Sequence, residues 1–169
     1  MALFKLSNIR GALVTMPHKV TTTQLVDEVT PTVRVAGASN AVLLREDGTL
    51  LGDQFDGAGF VRGVERKGFP LAGKRALVVG SGGVGCAIAA SLAGAGVSAL
   101  GLFDANTESS DSLAGRLNEH YPQIDVTTGS KDPEGYDLVV NATPLGMNDG
   151  DPLPLTSTGF LRRHLSARW

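Results

Sequence analysis

Two rhythms of apolar and polar positions divide the chain. Before residue 67 the apolar runs are short and are broken by proline and turn residues. GALVTM at residues 11–16 reads as a strand ended by Pro17, because proline fixes φ and suits a first helical turn. Residues 19–29 read as a helix weakened by Thr21, Thr22 and Thr23 and interrupted at Pro31. An apolar run at 38–44 is followed by Glu46-Asp47-Gly48-Thr49 and then by Leu50 and Leu51. Asp-Gly between two apolar runs predicts a hairpin. Asp56–Arg66 reads as a helix with Phe60 and Val64 on one face and Asp56 at or near its N-cap, broken at Lys67-Gly68-Phe69-Pro70.

After Gly73 the cadence becomes regular. Arg75–Val79 is a strand, 80–85 a glycine-rich turn, 86–95 an alanine-rich helix and 98–103 a second strand that ends at Asp104. A helix follows at 109–120, with Leu113 and Leu117 spaced i, i+4, then strands at 124–128 and 136–140. The last strand runs into Asn141-Ala142-Thr143-Pro144. Strands alternating with helices predict an α/β fold, a Rossmann-type doubly wound parallel sheet from residue 67 onward, with a smaller α/β unit before it.

Composition narrows the function classes. Of the residues, 42% are apolar and 19% charged, enough to build a core. The net charge is −2, which leaves no basic excess for a nucleic acid partner, and Arg162, Arg163 and Arg168 make too small a basic tail. Cys86 is the sole cysteine, so no internal disulfide and no cysteine zinc site is expected, and it reads as a small buried hydrophobe. His18, His120 and His164 share no ligand spacing, so no metal is expected. No apolar run approaches the roughly 18 residues of a membrane span, and the first residues lack the apolar core of a signal peptide. A cytoplasmic protein without membrane partners is the expectation.

Glycine changes the picture. It accounts for 22 residues of 169, well above the usual share of about 7%. Gly80-Ser81-Gly82-Gly83-Val84-Gly85 matches G-x-G-x-x-G between a predicted strand and a predicted helix, and Asp104 ends the next strand 22 residues after Gly82. In this pattern Gly80 allows the tight turn, Gly82 lets main-chain N–H groups approach a pyrophosphate, and Gly85 permits close helix–sheet packing. The helix N-terminus favours the anion. A carboxylate at Asp104 can accept from ribose hydroxyls and repels a 2′-phosphate, and no Arg or Lys follows before Arg116. The expected cofactor is therefore NAD in preference to NADP.

Four further segments accompany this loop: Gly11-Ala12-Leu13-Val14-Thr15-Met16-Pro17-His18-Lys19; Gly37-Ala38-Ser39-Asn40-Ala41-Val42; Asp47-Gly48 leading to Gly52-Asp53-Gln54-Phe55-Asp56-Gly57-Ala58-Gly59-Phe60; and Val139-Val140-Asn141-Ala142-Thr143-Pro144-Leu145-Gly146-Met147. In this order and spacing they resemble the shikimate/quinate dehydrogenase family. The resemblance implies a partial substrate-binding domain with a linker helix over 1–66 and a dinucleotide-binding domain, C-terminally incomplete, over 67–169. It implies reversible hydride exchange between a nicotinamide and a ring hydroxyl or ketone of shikimate, quinate or a related hydroxy acid. Lys19 falls on the family's catalytic lysine and Asp56 on its aspartate partner, Thr15 and Asn40 on substrate-contacting positions. Asn141, Ala142, Thr143 and Met147 fall beside the nicotinamide. The chemistry asks for such a group, since an acid/base must reach the oxygen whose carbon exchanges the hydride.

The match also has departures. The family's Asn-Val-Thr stands here as Leu13-Val14-Thr15, its Asn-Thr as Asn40-Ala41 and its Asn-Thr-Asp as Gln54-Phe55-Asp56. A Ser-x-Ser segment that the family places before Gly11 is not found, and the last ten residues do not follow the family pattern. The chain reads as a divergent paralogue shortened at both ends, able to self-associate through exposed sheet edges as a homo-oligomer. The alternative is a catalytically inactive, nucleotide-binding remnant.

Overall fold

The Asp47-Gly48 turn closes a hairpin, as its sequence predicts. In the computed structural model, which describes residues 2–155 and 165–168, β3 (Ala41–Leu44) and β4 (Leu50–Asp53) pair antiparallel with Leu44 opposite Leu50. Gly48 takes φ 87°, and the Asp47 carboxylate accepts from Thr49 N at 2.9 Å. β1 (Gly11–Leu13) adds antiparallel to β3, and β2 (Glu28–Val29) adds parallel to β4, giving a four-stranded sheet in the order β1-β3-β4-β2. Arg162, Arg163, His164 and Trp169 lie outside the described residues.

The helix expected over 19–29 is a single turn, α1 (Lys19–Thr22), followed by β2. The threonines account for the difference. Thr22 Oγ1 donates to His18 O at 2.8 Å and Thr23 Oγ1 to Val20 O at 2.7 Å, so hydroxyls compete for the carbonyls of the turn. Pro31 does not interrupt a helix but starts one, α2 (Pro31–Ala36), where its missing N–H costs nothing. α2 ends at Gly37, in the left-handed region at φ 67°. α3 (Asp56–Arg66) matches its predicted span, with Phe60 and Val64 buried, but its N-cap is Phe55, and Asp56 is its first helical residue.

The second sheet is wholly parallel. Its order is β7-β6-β5-β8-β9, built from β5 (Arg75–Val79), β6 (Ala99–Phe103), β7 (Asp125–Thr128), β8 (Leu138–Asn141) and β9 (Leu165–Arg168). Strand order reverses at β5, the first strand of this unit, which is the doubly wound arrangement with its ligand crevice at the carboxyl ends of the strands. Helix α4 (Gly83–Gly94) follows β5 and α5 (Thr107–His120) follows β6, each starting a few residues before its predicted position. Gly82 caps α4, and the Asn106 side chain accepts from Glu108 N to cap α5. No described helix is long and apolar enough to cross a membrane.

α4 is the centre of the molecule. Cys86, Ala87, Ile88, Ala89, Ala90, Leu92 and Ala93 are all buried, because the second sheet covers one side of the helix and α2 and α3 the other. Val35, Phe60 and Val64 from the first half share one apolar cluster with Ile88, Leu100 and Leu117 from the second. Small residues let the helices approach closely. A Cβ placed on Gly57 would lie 2.0 Å from Ala87 O and 2.3 Å from Ser91 Oγ. Gly57→Ala should therefore force α3 off α4 at a cost of at least about 1–3 kcal/mol, the usual range for overpacking. A clear drop in the calorimetric Tm is expected, and an unchanged Tm would contradict this packing.

Candidate active site

Two helix starts bring the predicted acid/base pair together. Lys19 opens α1 and Asp56 opens α3, and Lys19 Nζ lies 2.5 Å from Asp56 Oδ2. Their side chains are only 11% and 16% exposed. Charges so far removed from water persist only when their remaining hydrogen-bonding capacity is met. Asp56 Oδ1 accepts from Asn40 Nδ2 at 2.7 Å, and Asn40 Oδ1 accepts from Phe55 N at 2.9 Å. One amide side chain thus ties the carboxylate to the turn before α3.

Gln54 completes the frame and is a residue that sequence reasoning counted only as a departure. It is 2% exposed. Its Oε1 accepts from Asp56 N at 3.0 Å, and its Nε2 donates to Ala38 O at 3.4 Å. The signal was present in the spacing, since an amide two residues before a helix's first residue is placed to accept from an otherwise unpaired N–H. Thr15 is exposed at the turn into α1, its carbonyl accepting from His18 N at 3.0 Å.

The glycine loop lies directly beside this pair. A Cβ on Gly83 would sit 3.4 Å from Lys19 Cβ and 3.6 Å from Ala38 Cβ. Gly80 takes φ 104°, and a Cβ there would come within 2.8 Å of the Ala142 carbonyl. A Cβ on Gly85 would come within 1.8 Å of Gly80 O, whereas Gly82 faces open space. These three positions match the tight turn, close packing and open approach read from the motif. Val84 packs at the edge of the core. Ser81 is buried, and its Oγ has no hydrogen-bond partner among the described residues. Burial pushes the Cys86 thiol up from its ordinary range, and its Sγ lies 3.1 Å from Ser81 O, so it is a packed, protonated neighbour of the loop.

Across Gly80 stands the strand end of β8. Asn141 is buried, with Nδ2 donating to Leu145 O at 3.0 Å and Oδ1 accepting from Thr143 N at 3.0 Å and Thr143 Oγ1 at 2.6 Å. The Asp151 carboxylate accepts from Asn148 N and Gly146 N, which holds its pKa below the ordinary carboxylate value and folds the loop back. Met147 is 75% exposed on that loop. The loop 80–85 and Asn141, Ala142 and Thr143 therefore form one lip, with Met147 at its rim. Leu13, Ala41 and Phe55, the three departures, line a single apolar groove of about 340 Å³ together with Leu43 and Leu51. Leu13 stands opposite Ala41 across the β1–β3 pairing.

Known proteins resemble this chain in sequence and fold. Residues 1–42 match the model of the shikimate dehydrogenase substrate binding domain. The chain is 41% identical over 148 residues to the shikimate dehydrogenase (NADP(+)) of Rubrobacter xylanophilus, covering 86% of this chain and 52% of that one. It is 33% identical over 153 residues to the quinate/shikimate dehydrogenase of Escherichia coli, covering 85% and 53%. The crystal structure of shikimate 5-dehydrogenase from Listeria monocytogenes in complex with shikimate and NAD superposes with a TM-score of 0.85 at 25% identity, covering 99% of this chain and 62% of that one. The chain spans about half the length of the curated relatives it matches.

One expectation is overturned. A preference for NAD over NADP does not hold against a 41% identical relative that is named for NADP(+). The structure supplies a physical reason why Asp104 misled. Its Oδ2 accepts from Ser81 N at 2.6 Å and its Oδ1 from Asn106 N at 2.9 Å, so the carboxylate is engaged in shaping the glycine loop and the entry to α5. Removing it leaves two main-chain donors without their acceptor. Hydrogen bonds to a charged group contribute about 1.5–3 kcal/mol, and Asp104→Ala should lower Tm by several degrees, with Asp104→Asn falling between. Thermal unfolding without added ligand measures this, and an unchanged Tm would deny the carboxylate its structural role.

Proposed function

Over the residues it spans, the chain belongs to the shikimate/quinate dehydrogenase family, and from that premise we propose that it is a dehydrogenase exchanging hydride between a nicotinamide dinucleotide and a ring hydroxyl or ketone of shikimate, quinate or a related hydroxy acid. The observation that carries this reading is the Lys19–Asp56 pair held against the glycine loop at Gly83. In this reading residues 1–66 form the substrate-binding unit and residues 67–169 the dinucleotide-binding unit.

The loop residues fit a dinucleotide. Ser81 Oγ is a buried donor without a partner among the described residues, and the space over Gly82 is open. Gly80, Ser81, Gly82, Gly83 and Val84 would hold the pyrophosphate at the N-terminus of α4, with Gly85 keeping that helix close to the turn. When bound, the nicotinamide supplies or accepts the hydride. Asn141, Ala142, Thr143 and Met147 would line its side of the cleft.

The chain's own chemistry is proton transfer and positioning. In ketone reduction the carbonyl carbon gains a hydride while Lys19 Nζ gives a proton to the oxygen, and in alcohol oxidation Lys19 takes it back. Asp56 orients the ammonium, Asn40 fixes the second carboxylate oxygen, and Gln54 fixes the Asp56 main chain. Thr15 and Asn40 would contact the substrate at the mouth.

The test is turnover of shikimate and quinate with NAD(+) and with NADP(+), followed by the absorbance of the reduced nicotinamide. Lys19→Ala should lower kcat by about 10²–10⁴, the range for loss of a general acid/base, with a smaller change in KM. Near wild-type kcat in that variant would refute the proton-transfer role. Cofactor binding without turnover in every arm would refute the dehydrogenase reading and favour a nucleotide-binding remnant.

A further inference from the structure

Arg116 belongs to α5 in the dinucleotide-binding half, yet its guanidinium ends on the other half. Nε donates to Val35 O at 2.7 Å and Nη2 to Ala36 O at 3.4 Å, across 81 and 80 residues of sequence. Its own helix aims it, with Nη1 donating to Ser112 Oγ at 2.8 Å and to Ser112 O at 3.2 Å one turn earlier. The carbonyls it meets are the last of α2, which the helix leaves without internal partners, and a cation there also suits the helix dipole. The fit is close, since a Cβ on Gly37 would lie 3.3 Å from Nη2.

The segment immediately after α2 holds the active pair. Ala38 and Ser39 are fully buried. Ser39 N donates to Lys19 O at 2.8 Å, and Ser39 Oγ donates to Ala41 O and Asp53 O. Asn40 Nδ2 then donates to Asp56 Oδ1. Lys19 is thus tied to this segment through its main chain and Asp56 through Asn40. Only the three residues after Ala36 separate the Arg116 contact from the Asn40 bond.

We propose that Arg116 is a positioning residue that sets the Lys19–Asp56 pair by fixing the end of α2 and the segment 37–40 that carries Asn40. It links the geometry of the helix following β6, in the cofactor half, to the acid/base pair in the other half. The inference rests on the proposed dehydrogenase reading for its catalytic consequence but not for its structural one. The planar fork is required, because three carbonyls and a hydroxyl are met at once, and Lys offers only a point charge.

The experiment follows the Asn40 side-chain amide by ¹⁵N NMR in the full chain, with its signal assigned by its loss in Asn40→Ser. In the wild type the amide should be protected from solvent exchange by the bond to Asp56. Arg116→Met should speed that exchange at least tenfold, Arg116→Lys should restore part of the protection, and Ser112→Ala, a milder change, should move it in the same direction. A residue that served stability alone would lower Tm while leaving the Asn40 amide as in the wild type, and that result in both Arg116→Met and Ser112→Ala would overturn the proposal. With turnover, kcat should fall about tenfold in Arg116→Met, less than the roughly 10²-fold that a 1 Å misplacement can cost. KM for the cofactor should stay near wild type. A fall in cofactor affinity with unchanged kcat would also overturn it. A wild-type chain without turnover would end the dehydrogenase reading, while the amide exchange, which needs no substrate, still decides the role of Arg116.

Discussion

Everything at the candidate site depends on how closely α3 can lie on α4. The missing side chain at Gly57 allows main chain to meet main chain at Ala87. Asp56 is the residue immediately before that contact, and the glycine loop runs into the first turn of α4. The crossing therefore fixes the carboxylate relative to the place where a pyrophosphate would lie. Lys19 must come to meet it, and does so by packing its stem on Gly83. A larger residue at Gly57 forces α3 off α4 and so moves Asp56 from the loop before any chemical group is changed.

The same economy appears at Asp104. A carboxylate that accepts from two main-chain amides has one bond committed on each oxygen to the loop it shapes, and its charge is partly balanced by the donors it holds. Reading it as a discriminator against a 2′-phosphate treated the side chain as unengaged. The distinction is invisible in sequence, because an acid at a strand end has the same spacing whether it serves a ligand or the loop that cradles one.

The parts legible in the sequence were those governed by local rules. The hairpin at Asp47-Gly48 needs a left-handed residue, α3 has its apolar face at Phe60 and Val64, and the strand–loop–helix at 75–94 follows the glycine spacing. The motif segments also brought Lys19, Asn40 and Asp56 into one reading, and their side chains do meet. Tertiary competition decided the parts that were misread. Residues 19–29 have enough helical pattern for one helix, but threonine hydroxyls cap it after one turn, and Glu28-Val29 gain more from pairing with Leu51-Gly52. The six residues of α2 carry too short a pattern to stand out, and their stability comes from packing on α4 and from a guanidinium 80 residues away.

Gln54 and Arg116 show why supporting residues are harder to read than the titratable side chains they surround. A proposed proton-transfer role for Lys19 and Asp56 can be raised from their side-chain chemistry and motif positions. Gln54 and Arg116 act through main-chain groups, and main-chain groups carry no sequence signature. An amide that accepts from Asp56 N and a guanidinium that caps Val35 and Ala36 become meaningful only once the fold has placed those N–H and C=O groups. The Lys19–Asp56 pair thus inherits its geometry from buried polar contacts in both halves of the chain. Substitutions that preserve every reactive atom can still move the pair, which makes its geometry a property of the joined halves and not of either alone.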